Sequence, residues 1–142
     1  MMANTSPKFW RGIEVSIRYL FPHPWIAVAL ALSTATPLSA QYVEVGGDGM
    51  DGCGSNGVVI NLNSEGGDHL SVRAGPGVDT PEVGTLRLGA DVFLCDQKNG
   101  WHGIVYGEGR CGVSSPVNPR MVYRGPCSSG WVPVDTVEVT AG

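Results

Sequence analysis

Clustered basic residues, Cys-x-x-Cys pairs and apolar stretches of twenty residues are all missing from this 142-residue chain. Nucleic-acid binding needs a Lys/Arg footprint gathered on one surface. With 9 Lys and Arg against 13 Asp and Glu, a formal net charge of −4, nucleic acid is excluded as a partner. Gaps of 41, 15 and 15 residues separate the four cysteines, so no closely spaced pair brings two thiolates to one zinc, and no metal is expected. The apolar runs fall short of the ~20 residues that span a bilayer. Charged residues are only 15 % of the chain, and no 3.6-residue period appears after residue 40, which argues against a helical bundle. A Gly-x-Ser-x-Gly elbow, a His-Glu-x-x-His helix and a phosphate-binding glycine loop are missing too. The expectation is a protein that is not an enzyme and carries no cofactor.

What the chain does have is 21 Gly and 10 Pro, enough to spend much of a single domain on turns. Its first forty residues differ from the rest. Lys8, Arg11 and Arg18 precede a compact apolar run from Trp25 to Ala35, and small residues follow up to Ala40. That order is a signal-peptide pattern, with cleavage after Ala40 preferred and Ala35 as the earlier alternative. The mature protein is then periplasmic or secreted, a monomer with no stable membrane insertion. Removal of residues 1–40 takes away three of the 9 basic residues and one of the 13 acidic ones, leaving 6 against 12 and a net charge of −6. Residues 41–57 are glycine-rich and read as a flexible linker; Asp48, Asp51 and Asn56 lie among these glycines but miss the spacing of a calcium loop. The folded domain is expected over residues 58–140.

Cys53, Cys95, Cys111 and Cys127 all lie beyond the proposed cut, and an even number in an oxidising compartment reads as two disulfides. Three connectivities are possible. Cys111 and Cys127 bracket a Gly, Ser, Pro and Asn loop with little apolar material to hold it, so a bridge there is expected, which leaves Cys53 for Cys95. Short β-branched and alternating segments mark strands near 58–62, 69–73, 83–87, 91–95, 101–106, 130–132 and 137–139, the first two able to form a hairpin. In the fourth, Val92 and Leu94 share a face opposite Phe93 and Cys95, so Cys95 is expected to point away from the core. The expected core is Leu70, Val72, Val83, Leu86, Val92, Leu94, Ile104, Val132 and Val137. His69 and His102 read as solvated surface histidines.

Four ordered blocks, Leu70-Ser-Val-Arg-Ala-Gly-Pro-Gly77, Val83-Gly-Thr-Leu-Arg-Leu-Gly89, Asn99-Gly-Trp101 and Gly130-Trp-Val132, resemble the bacterial SH3-like domain family. The likeness runs over residues 69–139. It implies an all-β fold, a small bent barrel of five or six short strands, here with a disulfide-closed insertion before the closing Gly-Trp-Val strand. Such domains often accompany cell-wall hydrolases and recognise wall peptides, so the resemblance implies a non-catalytic binding module for a cell-wall peptide or an envelope protein. The candidate ligand-binding residues are Arg73, Trp101, Tyr106 and Trp131, on one shared surface. Arg73 at its strand end is also placed to pin the following loop, and one of the two tryptophans belongs in the core. An acidic protein would favour a peptide with free amines or a basic protein patch. The alternative is a small secreted structural or inhibitory protein that uses the loop between Cys111 and Cys127.

Overall fold

The computed structural model describes residues 40–47, 49–62 and 67–142; the proposed signal peptide up to residue 39, Asp48 and part of the turn before Asp68 lie outside the described residues. The fold is all-β. Among the described residues nine strands follow one another: β1 (Glu44–Val45), β2 (Ser55–Val59), β3 (Leu70–Arg73), β4 (Glu82–Leu86), β5 (Asp91–Lys98), β6 (Trp101–Tyr106), β7 (Met121–Val122), β8 (Ser128–Pro133) and β9 (Val137–Ala141), with a 3-10 turn at Val134–Thr136. Seven of them form one sheet in the order β4-β3-β8-β6-β5-β2-β9, and β1 pairs with β7 in a separate ribbon. Every pairing is antiparallel. Asn99 and Gly100, both at positive φ, make the tight turn whose twist joins β5 to β6.

The large sheet is folded over on itself. Tyr106 on β6 places its phenol against Gly84 on β4, where a Cβ would sit 2.1 Å from the hydroxyl, although β8 and β3 lie between those two strands in the sheet. Three strand spacings of ~4.8 Å are far beyond the reach of a tyrosine across a flat sheet. Bending also explains how Val72, Ile104 and Val132 reach 0 % exposure on the inner face. Edge strands β4 and β9 do not pair with each other, so the bend stops short of a closed barrel.

The inner core consists of Val59, Leu70, Val72, Leu86, Val92, Leu94, Ile104, Val132 and Val137, the expected set with one exchange. Val83, expected there, is 53 % exposed, and Val59 occupies the core instead. Leu86 and Val83 are three residues apart, so a period of two cannot turn both inward, and a bulge opposite Val72 and Arg73 leaves Val83 unpaired on the outer side. The suggested hairpin of β2 with β3 is also corrected. β2 pairs with β5 and β9, β3 with β4 and β8, which places them in different halves of the sheet.

A second, outer core covers Val105, and this overturns the linker reading of residues 41–57. Val45, Cys53, Val105, Cys111 and Val113 are buried together, with Phe93, Val117 and Tyr123 packed around them. The glycine-rich segment supplies Val45 and Cys53, and the insertion supplies Cys111 and Val113. Ribbon β1–β7 and a bridge from Asp51 to Pro116 join the two segments. Gly46, at φ +77°, is needed where they cross, because a Cβ there would lie 2.1 Å from the Val117 carbonyl oxygen.

Both expected disulfides are present, Cys53–Cys95 and Cys111–Cys127, and they leave no free cysteine. They mark an oxidising, non-cytoplasmic environment. Among the described residues no helix is long and apolar enough to cross a membrane. Cys95 reaches its partner through a bulge in β5: Leu94 pairs with Ile104 and Asp96 with Gly103, so Cys95 is the extra residue. Its side chain joins the outer core, away from Leu94, as the alternation predicted.

Candidate functional site

The structure divides the four residues nominated for ligand binding. Trp101 and Gly103 alternate along β6 with His102, Ile104 and Tyr106, so Trp101 is on the outer face while Tyr106 packs against the inner core. Trp131 pairs with Gly103 on one side and with Arg73 on the other, which makes Arg73 and Trp131 neighbours on the outer face, with Trp101 diagonal to Trp131. The single surface expected for all four does not exist, because five positions along a regular strand reverse the face.

Burial separates them further. Trp131 is only 1 % exposed, and its Nε1–H donates to the Gln41 carbonyl. It is the core tryptophan of the pair, roofed by the chain that leads into β1, while Trp101 is half-buried. Arg73 Nη1–H donates to the Thr80 carbonyl at 3.1 Å, and the Thr80 hydroxyl lies 2.9 and 2.7 Å from the carbonyls of Gly75 and Gly77. Arg73 therefore pins its own loop, as its place at the strand end suggested. Burial pushes the Tyr106 phenol above its ordinary pKa, and a hydrogen bond with Ser128 opposes that shift.

Exposed apolar side chains gather elsewhere, where residues 40–43 cross the sheet. Gln41 N–H donates to the Ala74 carbonyl at 3.0 Å, and Tyr123 N–H donates to the Val43 carbonyl at 2.9 Å, so this segment is a strap tied to β3 and to the insertion. Between the strap and β4 lies a cleft of about 200 Å³ lined by Tyr42, Val43, Ala74, Val83 and Gly130 among others. Tyr42 is 69 % and Val83 53 % exposed. Among the described residues the outer edge of β4 has no strand partner. Sequence reasoning missed Tyr42 because it placed residues 41–57 in a linker.

Two larger clefts, each about 490 Å³, share Asp96, Gln97 and Arg120. Arg120, carried by the insertion, donates from Nε to Glu44 Oε2 at 2.9 Å and from Nη2 to Asp96 Oδ1 at 2.7 Å. Asp96 also accepts the Glu44 and Gln97 N–H groups, at 3.3 and 2.9 Å. The hydrogen bond that Arg120 donates to Glu44 leads the effects that raise the guanidinium pKa. The bulge that exposes Cys95 to Cys53 turns Asp96 outward as well, so one irregularity serves both a covalent and an ionic tie. Both pairs are partly solvated, and Arg120→Ala is expected to cost about 1 kcal/mol at low salt and less at high salt, read from urea unfolding at two ionic strengths.

His102 is half-buried, not solvated as expected, and burial lowers its pKa from 6.5. The native state thus prefers the neutral ring. This contribution to stability is present above pH 6.5 and is lost as the pH falls through the lowered folded value. The urea midpoint should drop on acidification, and His102→Gln should reduce the drop; an unchanged pH profile in the variant would refute the assignment.

Among the described residues no three His, Cys, Asp or Glu side chains gather as a metal site. The Asp51 backbone forms a β-bridge with Pro116, and Asp48 lies outside the described residues. No family model, no curated protein and no solved structure matches the chain.

Proposed function

We propose that this is a non-catalytic, periplasmic or secreted binding module of SH3-like type, which takes an extended peptide of the cell wall or of an envelope protein. The observation that carries this reading is the cleft between the strap and β4, where Tyr42 and Val83 are exposed beside a strand edge that is unpaired among the described residues. An extended peptide adds to such an edge through its main chain, and apolar side chains in the adjoining cleft supply selectivity. Tyrosine is well suited to the contact, since it offers a large rigid surface with one polar tip. The mature charge of −6 favours a ligand with free amines or a basic patch.

The ligand-binding roles expected of Arg73 and Trp131 become positioning roles in this reading. Arg73 fixes the loop that begins at Ala74, and Trp131 holds the strap. Tyr42→Ala and Val83→Glu are expected to weaken binding to isolated wall peptides or envelope extract at least tenfold, with circular dichroism unchanged. Added salt should weaken binding by the wild type. If both variants keep full affinity while Met121→Ser and Arg124→Glu on the insertion abolish it, the alternative is correct and the disulfide-closed loop is the contact surface.

A further inference from the structure

Gln41 is held at both of its backbone groups. Its N–H donates to the Ala74 carbonyl at 3.0 Å, and its own carbonyl accepts the Trp131 indole N–H. The next residue after Ala74 is Gly75, where a Cβ would stand 3.6 Å from both Gln41 N and Gln41 Cβ. The glycine adds no side chain of its own on this side of Gln41, where the Thr80 methyl is the other nearby group. Clefts of about 490 and 200 Å³ border the residue. The backbone N, Cα and Cβ are three of the five ring atoms of a pyroglutamyl lactam, and the open space beside them admits the other two, Cγ and Cδ.

We infer that Gln41 becomes the first residue of the mature chain and closes to a pyroglutamyl lactam seated against Gly75. The inference rests on the export reading, in which residues 1–40 are removed. Cleavage frees an α-amine whose pKa is near ~8, so a neutral, nucleophilic fraction is present at neutral pH. The amine nitrogen attacks the side-chain Cδ; the N–Cδ bond forms and the Cδ–Nε2 bond breaks. The departing nitrogen takes one proton from the attacking nitrogen and leaves as ammonia, so the step needs no oxidant, reductant or second substrate.

The seat suits the product better than the free terminus. An α-ammonium has a full charge and three protons, whereas the lactam is neutral and keeps one N–H, which the Ala74 carbonyl accepts. Half-burial of Gln41 within the strap disfavours the charged form, because a desolvated charge without full pairing is costly. The carbonyl that receives Trp131 is unaffected by ring closure. A ring at this point also removes the free amine that aminopeptidases grip, protecting the strap that roofs Trp131 and lines the proposed cleft.

The test is to express the full precursor in an exporting bacterial host and to analyse the exported product by intact mass and Edman degradation. The expected product begins at residue 41, is lighter than the free-glutamine form by one ammonia, and resists Edman degradation. Gln41→Asn keeps an amide but would have to close a strained four-membered ring. It should begin at the same residue with a free amine and lose terminal residues to an aminopeptidase several-fold faster than the wild type. A wild-type product that begins at residue 41 with a free amine overturns the lactam and leaves export standing. A product that begins at Thr36 also overturns the lactam and leaves export standing, whereas one that retains the leader overturns both.

Discussion

Reducing both disulfides of the native protein is expected to unfold it at physiological temperature. The bridges close separations of 42 residues for Cys53–Cys95 and 16 for Cys111–Cys127. Chain-entropy estimates give about 4 and about 3 kcal/mol for loops of these lengths, together about 7 kcal/mol. A domain of this size is stable by roughly 5–15 kcal/mol in total, so reduction removes about half of that or more, and a domain in the lower half of the range unfolds. The two losses differ in kind as well as in size. Removing Cys53–Cys95 releases the N-terminal segment from the bulge of β5 and opens the outer core. Removing Cys111–Cys127 leaves the Tyr123 hydroxyl donating to the Cys111 carbonyl at 2.8 Å and accepting the Cys127 N–H at 3.1 Å, which still closes that loop. Cys53→Ala/Cys95→Ala should therefore lower the urea midpoint more than Cys111→Ala/Cys127→Ala. A reduced protein whose midpoint equals that of the oxidised one would show that packing alone holds the outer layer.

The inner half of this fold was legible because its signals are local. Period-two alternation in β3 and β5 sorted Leu70, Val72, Val92 and Leu94 from their neighbours, and the same alternation turned Cys95 toward Cys53. Where local order was broken by a bulge, the reading failed, as at Val83. The outer layer was illegible for a different reason. Neither residues 41–57 nor the insertion has enough apolar side chains to show a period, and each buries its few only against the other. The clip from Arg120 to Glu44 joins residues 76 apart, and no spacing rule connects them. The candidate site inherits that gap: β4 was identified from sequence, but the strap that makes a cleft of its outer side came from a segment taken for a linker. Face counting would have separated Trp101 from Tyr106, since five positions on one strand point opposite ways.

Replacing Trp131 should be the most damaging single truncation on the outer face. The indole lies beside Gly103, where a Cβ would come within 3.3 Å of its ring, and this close seat leaves the side chain 1 % exposed. Trp131→Ala is expected to cost about 3–5 kcal/mol, from lost burial plus the cavity that a single-layer strap cannot fill. Trp131→Phe keeps most of the ring but removes the donor to Gln41, and about 1–2 kcal/mol is expected for that change. The comparison separates packing from the hydrogen bond. Both variants should also weaken ligand binding, because the carbonyl that Trp131 holds belongs to the residue preceding Tyr42. With Trp131→Phe the protein stays folded, so its affinity is the informative measurement. Affinity equal to wild type, with an unfolding cost below about 1 kcal/mol for Trp131→Ala, would mean that the strap holds its position through Ala74 and Tyr123 alone. A loss of affinity in a folded Trp131→Phe variant would instead trace recognition at Tyr42 back to one indole N–H, set by a tryptophan that never meets the ligand.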